Sequence, residues 1–184
     1  MKSLIMLLFS TAIAPCYGQG TIVFANAGLN LDAPIFDAAG TRISGPSSFV
    51  ADFFWSSDTS ASMDQLIAAG FNQVFLPVNG NGGGYFNGGL KTLPTPGNVP
   101  ILGQVRVWDT DLGATYTQAR DSGGQFGFSN MFLVTPDLPP GGGTYLLGLK
   151  SFQITTIPEP STIAAGVLIS VLFMIKRANA RVTG

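Results

Sequence analysis

Apolar and polar positions alternate in short bursts along most of this 184-residue chain, and only its two ends carry uninterrupted apolar runs. Thr21 to Ala25 is a β-rich burst that stops at Asn26. Residues 31–46 are punctuated by Asp32, Pro34, Asp37, Gly40 and Gly45-Pro46 around a short Ile35-Phe36, which predicts a loop region. Phe49 to Trp55 is the densest apolar run; it is too short for an ordinary helix and rich in aromatics, which predicts a central strand. Ser62 to Ala69 reads as a helical fragment with Ser62 as N-cap and Gly70 as its stop. Phe71 to Val78 reads as a strand closed by Pro77, and 79–89 as a glycine-rich loop around Tyr85-Phe86. From Gly103 to Asp109 the alternation is clean: Val105 and Val107 point one way, and Gln104, Arg106 and Trp108 the other. Ala114 to Arg120 predicts one short surface helix. Residues 127–135 and 145–155 predict the last strands, parted by Pro136 and Pro139-Pro140-Gly141-Gly142-Gly143. Six or seven short strands, frequent turns and no long amphipathic helix predict an all-β fold, an antiparallel β-sandwich of jelly-roll-like or Ig-like type.

The apolar ends change that picture. Lys2, the run Leu4 to Ile13 and Cys16-Tyr17-Gly18 have the order of a secretory leader, with the cut placed after Gly18 or, alternatively, after Gly20. Cys16 invites a lipoprotein reading, which Pro15 opposes by standing where a small residue belongs. At the other end, Pro158-Glu159-Pro160 precedes the uncharged run Ser161 to Ile175 and a basic tail of Lys176, Arg177 and Arg181. A helix over those 15 residues would span roughly 22 Å against roughly 30 Å of hydrocarbon. That is short, but flanking lysine and arginine can snorkel and thin the bilayer. The basic side stays cytoplasmic by the positive-inside rule, which puts everything before Pro158 across the membrane. Glu159 is the only glutamate in the chain.

The 157–181 stretch resembles the PEP-CTERM sorting signal of exported bacterial proteins: the triplet, Ser161-Thr162, a short apolar helix and an Arg-containing tail follow in the family's order. The resemblance implies export through the Sec translocon and transient anchoring in the inner membrane by the C-terminal transmembrane helix. It also implies processing near the triplet by an exosortase-type enzyme, with a final place at the cell surface or in the extracellular matrix. The body is similar to a recurring PEP-CTERM ectodomain type at Gly20 to Asn26, Ala33 to Arg42, Gly83 to Gly89, Val105 to Thr110, Gly113 to Tyr116 and Ser129 to Phe132. That second resemblance implies no activity. The division is a leader over 1–18, a β-sandwich ectodomain over 19–156 and the sorting signal over 157–181.

Composition then narrows the chemistry. Residues 19–156 hold nine aspartates against five lysines and arginines, so no basic patch favours nucleic acid. Cys16, the only cysteine, leaves with the leader, so no disulfide is expected in 19–156. The chain has no histidine, and with Cys16 gone zinc has neither of its favoured soft ligands. Asp121-Ser122-Gly123-Gly124 looks like a protease nucleophile motif but lacks an imidazole base, and reads as a turn. Gly82 to Thr92 approximates a phosphate loop, yet Gly89 is not adjacent to Lys91, so a flexible hairpin or rim loop is expected. Asp109-Thr110-Asp111 offers a calcium ion two carboxylates without the further ligands, and reads as a solvated turn. The nine aspartates reveal no glycosidase pair. Trp55, Trp108, Tyr85 and Tyr116 are candidates for a sugar-stacking platform. No cofactor or metal and no catalytic residue is expected. The expected function is a non-enzymatic, surface-sorted envelope or matrix protein; the alternative is a carbohydrate-binding module or adhesin acting on extracellular polysaccharide.

Overall fold

The computed structural model describes residues 19–79 and 82–156. The leader, the Pro158–Pro160 triplet, the apolar run 161–175 and the basic residues Lys176, Arg177 and Arg181 lie outside the described residues. No helix among the described residues is long and apolar enough to cross a membrane.

The structure is mostly β, mainly antiparallel, with almost no helix. In chain order the strands are β1 (Gln19–Ala25), β2 (Ala27–Gly28), β3 (Leu31–Asp32), β4 (Ile35–Phe36) and β5 (Phe49–Ser56). A 3-10 turn (Met63–Gln65) leads to β6 (Ile67–Ala68), β7 (Gln73–Val74), β8 (Asn87–Pro96) and β9 (Ile101–Asp109). Helix α1 (Tyr116–Asp121) precedes β10 (Gln125–Phe128), β11 (Phe132–Val134), β12 (Thr144–Tyr145), β13 (Phe152–Gln153) and β14 (Thr155–Thr156). The larger sheet has the order β14-β10-β9-β5-β6, with β11 also on β9 and β7 also on β5. A smaller sheet runs β12-β1-β8. β4 pairs with β13 and β1 with β12 in parallel.

β5 and β9 form the spine, in register from Phe49↔Asp109 to Ser56↔Leu102. Both faces of this pair are covered, which explains why β5 is apolar on both faces, Asp52 excepted, rather than alternating. Ala51, Phe53 and Trp55 join Val105 and Val107 in a first cluster, to which the smaller sheet adds Ile22, Phe24 and Leu93. Val50, Phe54, Leu102 and Trp108 form a second cluster with Ala61, Leu66, Tyr116, Ala119 and Phe126. Val107 and Trp108 thus pack on opposite faces, as the alternation requires. Gly103 is demanded by packing: a Cβ there would stand 2.5 Å from the Phe53 ring.

Each long edge of the spine is interrupted once, and a polar side chain fills each break. On the β5 side, β6 and β7 leave residues 69–72 between them. The buried Asp52 carboxylate accepts there from the N–H of Phe71 at 2.7 Å, of Phe53 at 2.8 Å and of Gly70 at 3.0 Å. On the β9 side, the chain between β10 and β11 leaves the ladder, and Ser129 Oγ accepts from Val105 N–H at 3.0 Å. These atoms replace backbone partners that buried amides cannot do without.

Several local expectations are corrected. Ser62 to Ala69 is not one helix: three residues form the 3-10 turn, and Ile67 and Ala68 become β6, because the free edge of β5 offers ladder partners at Phe54 and Trp55. Of the strand expected over Phe71 to Val78, only Gln73–Val74 pairs as a strand. The rim loop expected over Gly82 to Thr92 gives way from Asn87 onward to β8, which pairs along most of β1. Its prolines and glycines are poor strand formers, but β8 is an edge strand, where Pro94 and Pro96 are tolerated. The helix expected over Ala114 to Arg120 is present as α1, yet Tyr116 and Ala119 are buried, so it caps the second cluster rather than lying free on the surface. The strand expected over 127–135 is split at Ser129.

Candidate functional site

The four candidate stacking rings do not share a surface. Trp55 is 6% exposed within the first cluster, while Trp108 and Tyr116 are 2% and 5% exposed within the second. The fold brings Trp108 and Tyr116 together edge to face, with centroids 6.3 Å apart, and Tyr116 meets Phe54 and Phe126 in the same way. Tyr85 is the half-buried member of the set, packed beside Arg42.

Asn26 builds that corner. It is fully buried at the end of β1, its Nδ2 donates to the carbonyls of Ala33 and Gly84 at 2.8 Å each, and its Oδ1 accepts from Phe86 N–H at 2.7 Å. One amide therefore ties the β2–β3 hairpin to the segment that carries Tyr85. Gly84 allows the approach: its φ is +85°, and a Cβ would lie 3.0 Å from Pro34 Cβ. The 37–42 turn is closed by Asp37, whose Oδ1 accepts from Ala39 and Thr41 N–H at 2.9 and 2.8 Å. That turn delivers Arg42 beside Tyr85.

The Tyr85 hydroxyl donates to Asp32 Oδ1 at 2.6 Å, and the Arg42 guanidinium carbon lies 5.3 Å from the Tyr85 ring centroid. The hydrogen bond to Asp32 pushes the phenol above its ordinary pKa, burial adds to this, and Arg42 opposes it. Thr41, Arg42, Val78 and Gly83 line an open cleft of about 230 Å³. That volume is below the roughly 300–1,000 Å³ of sites for drug-sized ligands, so one small polar unit is the scale it suits. The corner offers a planar cation, a hydroxyl and one apolar wall. Among the described residues it holds no nucleophile paired with a base.

The other candidates are local structure. Asp109 Oδ1 accepts from Asp111 N–H at 3.0 Å, closing the turn after β9. Asp121 pairs with Arg120 at 2.8 Å, and Ser122 caps α1 by donating its N–H to Gln118 C=O at 3.0 Å. No group of three or more potential metal-ligating side chains occurs among the described residues.

Arg106 is a buried cation that sequence reasoning placed on a strand face without a role. Its Nε donates to Gln104 Oε1 at 2.9 Å and its Nη2 to the Met63 carbonyl, and its guanidinium carbon lies 4.1 Å from the Phe54 centroid and 5.0 Å from that of Tyr116. No carboxylate pairs with it among the described residues. Burial lowers its pKa, and two aromatic faces and two acceptors hold the charge instead. Its polar strand position offered a signal; the two rings and the Met63 carbonyl around it come from three separate parts of the chain.

No family model, curated protein or solved structure matches this chain.

Proposed function

We propose that this chain is an exported, surface-sorted, non-enzymatic protein of the envelope or extracellular polysaccharide matrix. Residues 1–18 direct it through the Sec translocon, residues 19–156 form a β-sandwich of jelly-roll-like or Ig-like type, and residues 157–181 anchor it briefly and present it to an exosortase-type enzyme. The observation that carries this reading is the order of triplet, apolar run and basic tail around the sole glutamate, Glu159. The sandwich reading draws support from the first cluster, which collects side chains from both the larger and the smaller sheet. The test is Glu159→Ala in the native host, read as the mature C-terminus by intact mass. Processing is expected to stop while export continues and the product stays in the membrane. Wild-type surface material that still ends at Gly184 would sink the reading.

A second reading, carbohydrate binding, is favoured by the corner where exposed Thr41 and Arg42 stand beside half-buried Tyr85. It predicts that the 19–156 fragment is retarded by a polysaccharide in affinity electrophoresis and that Arg42→Ala with Tyr85→Ala abolishes the retardation. The readout is mobility rather than tryptophan emission, because Trp55 and Trp108 are both buried.

A further inference from the structure

β8 is the one long open sheet edge among the described residues. It has ten residues and ends the smaller sheet, whereas the other edge strands, β6, β7, β11, β12 and β14, have two or three each. The ladder fixes which of its backbone groups face outward. Thr21 exchanges hydrogen bonds with Asp137, N–H to carbonyl at 2.8 Å in each direction, so both its backbone groups point away from β8. Thr92 lies opposite Thr21 and is therefore in a non-hydrogen-bonded pair, with its own N–H and C=O pointing away from β1. The register is unbroken from Gly20↔Leu93 to Val23↔Leu90, so Leu90 shares this orientation. Neither residue's outward groups have a partner among the described residues. Leu90, Thr92 and Pro94 are exposed, and Lys91 places its ammonium 5.6 Å from the Phe71 ring centroid. Lysine and proline commonly block pairing at an edge. Here the lysine is engaged with a ring and the prolines stand beyond it, at 94 and 96, which leaves 90–92 open.

We propose that β8 pairs with β8 of a second copy, antiparallel about a two-fold axis at Thr92, and so joins two smaller sheets into one. Thr92 offers both a donor and an acceptor outward, so the two copies exchange two hydrogen bonds at the axis. The register selects the second copy as occupant. Centred on Thr92, the pairing sets Leu90, which is 55% exposed, opposite the exposed Pro94 of the other copy, an apolar pair. It also sets Lys91 opposite Leu93. Centred on Lys91 instead, it would set like charges directly opposite each other, which is unfavourable. Pro94 has no N–H to give, so the ladder stops there. Pairing consumes the long edge of both copies, and the assembly closes as a dimer rather than growing.

The experiment is cysteine cross-linking of the full-length chain in the native host under mild oxidation, read on non-reducing gels, because a covalent link captures even a weak edge-to-edge pair. Wild type, whose only cysteine is Cys16, is the blank. In Thr92→Cys the two thiols sit on the axis, with Cα atoms about 5.5 Å apart, inside the roughly 7 Å that a disulfide can bridge. In Leu90→Cys they are offset by four residues, about 13 Å along the strands, and out of reach. The expected result is at least about tenfold more cross-linked dimer for Thr92→Cys than for Leu90→Cys. Equal cross-linking at both positions, none at Thr92→Cys beyond the blank, or a Thr92→Cys link to a different protein each overturns the proposal. A second measurement uses differently tagged Thr92→Lys and Thr92→Glu chains. Each should lose capture of its own kind, because like charges meet at the axis, and the two should capture each other when co-expressed. Variants that capture their own kind as well as wild type does overturn the two-fold register, and a wild type that does not capture itself overturns the dimer.

Discussion

Replacing Asn26 tests how the Tyr85 corner is held. In Asn26→Ala the Phe86 N–H and the Ala33 carbonyl lose their only partners among the described residues, whereas the Gly84 carbonyl keeps the N–H of Ile35 at 2.9 Å. Each orphaned buried group costs about 1–3 kcal/mol, so the loss is about 2–6 kcal/mol. Against a total of about 5–15 kcal/mol for a domain, that is a large fraction. Asn26→Asp separates the two halves of the amide. The carboxylate keeps an acceptor for Phe86 but turns an oxygen toward two carbonyls and buries a charge, so it should be at least as damaging as alanine. The assay is chemical denaturation of the 19–156 fragment followed by tryptophan emission, which reports global unfolding well because both indoles are buried. A midpoint shift worth less than about 0.5 kcal/mol for Asn26→Ala, the range of ordinary surface changes, would refute the clamp. An Asp variant as stable as wild type would refute the role of the Nδ2 donors.

Two further outcomes follow from the buried charges. Arg106→Lys keeps a cation but loses the planar fork that reaches Gln104 and Met63 while stacking on Phe54 and Tyr116, so it should cost about 1–3 kcal/mol in the same assay; a variant as stable as wild type would show that charge alone suffices. Burial raises the Asp52 pKa above its ordinary value despite the backbone donors that lower it. The folded state therefore holds this proton more tightly than the unfolded chain. Its contribution is complete below the unfolded value and is lost as pH rises through the folded one. The stability advantage of wild type over Asp52→Asn should accordingly shrink with rising pH across that window; an advantage that grows with pH would contradict the assignment.

The two spine strands were legible from local pattern, because an apolar run and an alternating run dictate an extended backbone wherever they are buried. The absence of histidine likewise removed imidazole chemistry without reference to any fold. The order of triplet, apolar run and basic tail is also a property of the chain alone, since membrane insertion and charge sidedness depend on contiguous residues. Tertiary structure decided the rest. Alternation said that Trp108 and Val107 face opposite ways but not that both faces would be covered; α1 and the turn before β6 supply the second cover from outside the strand. β8 defied its glycines and prolines because β1 offered a partner, and ladder hydrogen bonds outweigh weak propensity. The apolar-run reading of β5 passed over Asp52, which is there to satisfy amides that an interrupted edge would have left bare. The Tyr85 corner joins residues 32, 42 and 85 through the buried amide of Asn26, a convergence that no sequence period encodes, because periodicity reports one element's face and says nothing of which distant loops meet over it.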